Sequence, residues 1–145
     1  MVKKSTNIEN PQTEEDLHTR PYRFELRLRV YVGADKLTMI PRARNADNKA
    51  FSFTIALCNY FSVSDGEVSV EGLETLDYFD NLLKRERYTE QADAITFDGE
   101  IDRVYLSTPT KIAVIDHERK RKIVLRKEGM VDAEIEVGVL VMKGG

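Results

Sequence analysis

The chain holds one cysteine and no tryptophan in 145 residues. A lone thiol excludes an internal disulfide, and no Cys/His group with metal-ligand spacing takes its place. Long hydrophobic runs are missing as well. The longest nearly apolar stretch, Val137 to Met142, is far below the roughly 20 residues that a membrane-spanning helix needs. Residues 1–18 contain Glu9, Glu14, Glu15 and Asp16 and no apolar segment, which is unlike a signal or transit peptide. No lipidation pattern is present. Positive charge is not in excess either: 22 Lys and Arg stand against 25 Asp and Glu, for a net charge of −3. Nucleic-acid binders concentrate positive surface, so neither a nucleic acid nor a membrane is an expected partner. These absences predict a soluble, cytoplasmic, metal-free protein.

What the sequence does have is enough apolar material for a core, 41% against 32% charged, and a clear periodicity of two. Residues 1–20 are polar and aperiodic, and are expected to form a flexible lead-in to a single domain over 21–145. From Phe24 the chain alternates: Phe24, Leu26, Leu28, Val30 and Val32 are interleaved with Glu25, Arg27, Arg29 and Tyr31. That pattern predicts a half-buried antiparallel strand. Gly33-Ala34-Asp35 reads as a turn and Leu37 to Arg44 as the returning strand, with Pro41 restricting part of it to an edge or bulge. After the turn signal Asn45-Ala46-Asp47-Asn48, Phe51, Phe53, Ile55 and Leu57 predict a third strand. Its opposite face, Ser52, Thr54, Ala56 and Cys58, is small enough to leave room for another layer or a ligand. Shorter strands are predicted at Val68–Leu73, Ile95–Phe97, Val104–Leu106 and Ile112–Ile115. The last forms a hairpin with Lys122–Leu125 through Asp116-His117-Glu118-Arg119. Ala133, Ile135, Val137, Val139 and Val141 alternate as a final strand. Many short strands with polar turns predict an all-β antiparallel sandwich. One segment dissents: Leu76, Phe79, Leu82 and Leu83 lie at helical spacing and, taken locally, predict a short helix.

Chemistry-bearing residues are sparse. His18 lies in the polar lead-in and reads as solvated. His117 sits in a turn between Asp116 and Glu118, where a surface imidazole is the simpler reading than a catalytic one. The basic run around it, His117 to Lys122, reads as a charged hairpin tip that discourages edge pairing. Asp98, Glu100 and Asp102 alternate, so on one strand they would share a face, and three like charges require that face to be wet. A carboxylate in such a cleft suits sugar hydroxyls, because it accepts several hydrogen bonds. Cys58 has no neighbouring histidine to activate it.

Longer motifs go further. The segment Phe51-Ser52-Phe53-Thr54-Ile55-Ala56-Leu57-Cys58-Asn59-Tyr60-Phe61-Ser62-Val63-Ser64-Asp65 resembles a signature of the glucose-6-phosphate 1-epimerases, hexose-6-phosphate mutarotases of the aldose 1-epimerase (galactose mutarotase-like) superfamily. The resemblance, plant-like in character, runs on through Val70 to Tyr78, Arg85 to Phe97 and Glu100 to Leu106, and covers about Glu14 to Gly129. It implies part of a galactose-mutarotase-like β-sandwich that holds a sugar on a concave face, and it replaces the local helix by strand and loop. It also implies a cofactor-free interconversion of α and β anomers of a hexose 6-phosphate. A histidine protonates the ring oxygen while a glutamate deprotonates the anomeric hydroxyl.

The same resemblance implies what this chain lacks. The family's acid histidine falls on Cys58, and a thiol is a weak hydrogen-bond donor. The family's base belongs to a strand beyond Gly129 that this sequence does not contain, and Glu134 and Glu136 lie outside its motif. The tryptophan-bearing stretch and an N-terminal portion with another histidine and phosphate-binding basic residues are missing too. Asp102, in Glu100-Ile101-Asp102-Arg103, matches a position that contacts sugar hydroxyls in relatives. The expectation is a truncated, inactive member covering the middle half of a family domain, with a hexose 6-phosphate or related sugar as its ligand. The alternatives are a non-catalytic carbohydrate-binding sandwich and a non-functional gene fragment.

Overall fold

The computed structural model describes residues 4–10, 13–19, 21–136 and 139–144. It divides into two compact units, 1–52 and 53–145. The first is a meander of β1 (Lys4–Asn10), β2 (Phe24–Val32) and β3 (Leu37–Asn45), paired in that order, with the short helix α1 (Glu14–Thr19) between β1 and β2. The lead-in, expected to be flexible, contributes β1, whose register runs from Lys4 opposite Val32 to Asn10 opposite Leu26. Its polar composition hid this, because the pairing is carried by backbone groups that every non-proline residue supplies. Pro41, opposite Leu28 on the outermost strand β3, lies at an edge, where a missing N–H costs no ladder bond. An Asx turn follows β3: Asn45 Oδ1 accepts from the Asp47 N–H at 2.8 Å, and Asp47 Oδ2 accepts from the Arg23 N–H at 3.1 Å.

The second unit is a sandwich of two antiparallel sheets. One has the order β11-β10-β5-β8 and the other β4-β13-β12-β9-β6-β7. Their strands are β4 (Ile55–Tyr60), β5 (Val68–Glu71), β6 (Asp77–Asp80), β7 (Glu86–Thr89), β8 (Ala94–Thr96), β9 (Asp102–Tyr105), β10 (Lys111–Asp116), β11 (Arg121–Arg126), β12 (Asp132–Glu136) and β13 (Val139–Gly144). Alternation decides what each sheet buries. Val68, Val70, Ile95, Ile112 and Val114 from the four-stranded sheet form one cluster with Tyr78, Tyr105, Ala133 and Ile135 from the six-stranded sheet. The core is thus the layer between the sheets, closed on one side by Leu73.

Four local expectations are corrected. The third strand begins at Ile55, not Phe51. The run of alternating residues 133–141 is not one strand but two, β12 and β13, paired from Glu136 opposite Val139; Val139 and Val141 therefore oppose Glu136 and Glu134, out of phase with Ala133 and Ile135. Residues 98–99 form a bend and residue 100 is irregular, so only Asp102 of the three alternating acids is in a strand. The helix suggested by Leu76, Phe79, Leu82 and Leu83 is absent. Strand β6 and a single 3-10 turn, Asn81–Leu83, occupy the segment. There Tyr78 packs on Tyr105 with ring centroids 5.1 Å apart, so cross-strand packing prevails over helical propensity.

One buried carboxylate ties the four-stranded sheet to the chain leaving β4. Asp116 is 1% exposed. It accepts from the Ser64 N–H at 3.0 Å, the Ser64 hydroxyl at 2.5 Å and the Arg119 N–H at 3.0 Å. The hydrogen bond from the Ser64 side chain leads the causes that hold its pKa at about 2, below the ordinary 3.8. A depressed carboxylate stabilises the fold above its unfolded pKa and loses that contribution as pH falls through the folded one. Asp116→Asn should therefore melt well below the parent at pH 6, with the gap narrowing between pH 3.8 and about 2. Thermal melts followed by circular dichroism check this; a gap independent of pH would contradict it.

Candidate functional site

Strand β9 has two unlike faces, and the register shows where each leads. Tyr105 opposes Ala133 and Tyr78, and Arg103 opposes Ile135 and Asp80; this is the core face. On the other face Asp102 opposes Glu136 and Val104 opposes Glu134. Glu134 in turn opposes Val141, which opposes Cys58. Directly opposed residues share a face, so Cys58, Glu134 and Asp102 all belong to the outer face of the six-stranded sheet. One strand lies between those of Cys58 and Glu134, which at ~4.8 Å per strand separates their backbones by about 10 Å. A pyranose ring fits between side chains at that spacing.

The outer face is polar and internally bonded. Asn81, at the start of the 3-10 turn, donates from Nδ2 to Asp102 Oδ1 at 2.7 Å and to Glu134 Oε1 at 3.3 Å. Lys143 on β13 places Nζ 2.5 Å from Glu134 Oε2. Cys58 is a free, exposed thiol, and Tyr60, two residues along, is 78% exposed. These groups can accept from and donate to hydroxyls, the chemistry of a sugar face. Among the described residues no three His, Cys, Asp or Glu side chains gather as a metal site.

The core face of β9 is charged as well, and fully bonded. Glu90, 7% exposed, receives the Tyr105 hydroxyl at 2.6 Å and Arg103 Nη1 at 3.1 Å through Oε2, and the Ala92 N–H at 3.0 Å through Oε1. Arg103 also reaches Asp80 at 3.6 Å and lies 4.7 Å from the centre of the Tyr78 ring. Burial, then the bond to Glu90, pushes the Tyr105 phenol far above its usual range. It stays a donor at every working pH.

The other residues singled out by sequence lie elsewhere. His117 sits at the β10–β11 turn with Nε2 3.1 Å from the Ser69 hydroxyl, on the four-stranded sheet. In the basic run, Arg119 and Arg121 both donate to the Ser62 carbonyl, so the hairpin tip is tied down as well as solvated. Asp98 accepts from the Thr96 hydroxyl at 2.8 Å. His18 is exposed on α1. Sequence reasoning missed Asn81 and Lys143 and set Glu134 aside. Asn81 and Glu134 are 53 residues apart, and no local pattern announces such a pair.

The architecture defines a mutarotase-like antiparallel sandwich. It superposes on a Salmonella typhimurium protein (YeaD) provisionally called a mutarotase, with a TM-score of 0.82 over 97% of this chain and 52% of that one, at 20% identity. A Synechocystis protein superposes with a TM-score of 0.81 over 98% of this chain and 50% of that one, at 15% identity. At the sequence level, the family model for aldose 1-epimerase matches residues 5–134, and the chain belongs to that family. It is 54% identical over 126 residues to a Cenchrus ciliaris protein provisionally named glucose-6-phosphate 1-epimerase. The match takes in 84% of this chain and 38% of that relative's length.

The charged core network supports the site from beneath. Removing one member of a buried ion pair strands the other, at a cost of about 3–5 kcal/mol. Arg103→Met should fall toward the lower end of that range, because the guanidinium side chain keeps 26% exposure. Urea unfolding at neutral pH measures it; a loss within about 0.5 kcal/mol, ordinary for surface changes, would contradict the network's role.

Proposed function

We propose that this chain binds a hexose 6-phosphate, or a closely related sugar, on the outer face of the six-stranded sheet in the cytoplasm, and does not interconvert its anomers unaided. The observation that carries the reading is the placement of Asp102 on one open face with Asn81, Glu134 and Cys58; the sequence resemblance gives Asp102 its role as a hydroxyl contact. Membership of the aldose 1-epimerase family and the name of the Cenchrus ciliaris relative supply the ligand class. An exposed free thiol suits a reducing compartment, and among the described residues no helix is long and apolar enough to cross a membrane.

Anomer exchange opens and recloses the ring, so it needs a proton donor at the ring oxygen and a base at the anomeric hydroxyl. At the donor position this chain offers Cys58, whose S–H is a weak donor. Glu134 is the carboxylate on the same face two strands over, but its oxygens are engaged by Lys143 and Asn81. Each absent proton-transfer partner costs on the order of 10²–10⁴ in rate. The face therefore keeps recognition and lacks the paired proton transfer.

Two measurements test this. Calorimetric titration with glucose 6-phosphate should give binding heat that weakens on the order of 10- to 100-fold in Asp102→Ala, as loss of a charged hydrogen bond of about 1.5–3 kcal/mol requires. NMR exchange between its two anomers should proceed at the rate of buffer alone. No heat with the parent protein, or rapid exchange free of host isomerase, would overturn the reading.

A further inference from the structure

Consecutive residues on β6 and the turn after it hold consecutive residues on β9, one from each side of the sheet. Asp80 caps the 3-10 turn by accepting from the Leu82 N–H at 3.0 Å, and beneath the sheet it faces Arg103 at 3.6 Å. Asn81 then emerges above the sheet and donates to Asp102 at 2.7 Å. The four residues make a two-sided clamp, with the ion pair in the core and the amide on the open face.

We infer that Asn81 is a positioning residue that sets the Asp102 and Glu134 carboxylates as one hydroxyl-accepting strip for the sugar. This deepens the function proposed above and rests on it. An Nδ2 group has two protons, and here they go to two carboxylates on neighbouring strands, β9 and β12. Without that bridge the two anions would repel and turn apart. Lys143 secures the far side of Glu134 through Oε2, so each carboxylate has one oxygen engaged by the protein's own amide. Asp102 Oδ2 is then fixed in direction by a bond made at Oδ1. Fixing an acceptor before the ligand arrives removes part of the ordering cost of binding, which is how a residue that need not touch the sugar raises affinity.

The decisive variant is Asn81→Asp, which keeps the side-chain shape, removes the donor and adds a third like charge. Three acids on one face repel, so its melting temperature should fall, and the titration is read at a temperature where circular dichroism shows both proteins folded. Binding of glucose 6-phosphate should weaken about 10-fold or more, while Asn81→Gln, which retains an amide donor, should recover part of the loss. A second readout needs no ligand. The two Asn81 side-chain amide protons should shift in Asp102→Asn and in Glu134→Gln, each variant moving them without unfolding the protein. Parent-like affinity in Asn81→Asp, or an Asn81 amide that ignores both carboxylate variants, overturns the positioning role. A parent protein without any binding heat overturns the sugar-site reading itself, and the amide shifts then report on the clamp alone.

Discussion

Everything on the open face depends on how β9 is fixed. A strand in the middle of a sheet is held by its ladder, but its side chains can still tilt, and a recognition carboxylate that tilts is of little use. Here Arg103 ties β9 downward to Glu90 and Asp80, and Asn81 ties Asp102 across to β6 and β12. The lower set is buried, so its charges must be paired. Glu90 accepts from a phenol, a guanidinium and a backbone N–H, and losing the guanidinium would leave its buried charge without a counterion. The costly side of the sheet is thereby the rigid one, and the wet side inherits its geometry.

In the proposed function, Cys58 is the residue that separates recognition from chemistry. The strand that carries it pairs in full register with β13 from Ile55 to Tyr60, so the backbone places Cys58 on the face of Glu134, a position that the sequence resemblance assigns to the family's acid. What changes is the atom offered to the ring oxygen. A sulfur in place of an imidazole nitrogen leaves shape and exposure serviceable while weakening the proton donor. The chain also spans less than half the length of its Cenchrus ciliaris relative.

Much of the fold was legible because its signal is local. The five-fold alternation from Phe24 to Val32 predicts β2, and the Ile112–Leu125 hairpin follows from two apolar runs around a charged turn. Where the code failed, the deciding contact was distant. Polar β1 is a strand because it has β2 to pair with, and β6 is a strand where Tyr78 packs at a tilt against Tyr105. Between β12 and β13 the phase changes, Ile135 opposing Leu140 rather than falling in line with Val139, and the nearly unbroken apolar run Val137 to Met142 hides that change. Of the site, Asp102 and Cys58 could be placed from motifs. Asn81, Glu134 and Lys143 could not, since their roles exist only once three strands have assembled.

The central claim is that the ligand sits on the outer face of the six-stranded sheet, over β4, β12 and β9. Backbone amide mapping by NMR during titration with glucose 6-phosphate tests it most directly. The account predicts shifts concentrated at Cys58, Asp102 and Glu134 and at Asn81, with Ile112, Val114 and Ile123 in the opposite sheet unmoved. Shifts confined to the β10–β11 hairpin around His117, or spread evenly over both sheets, would contradict it.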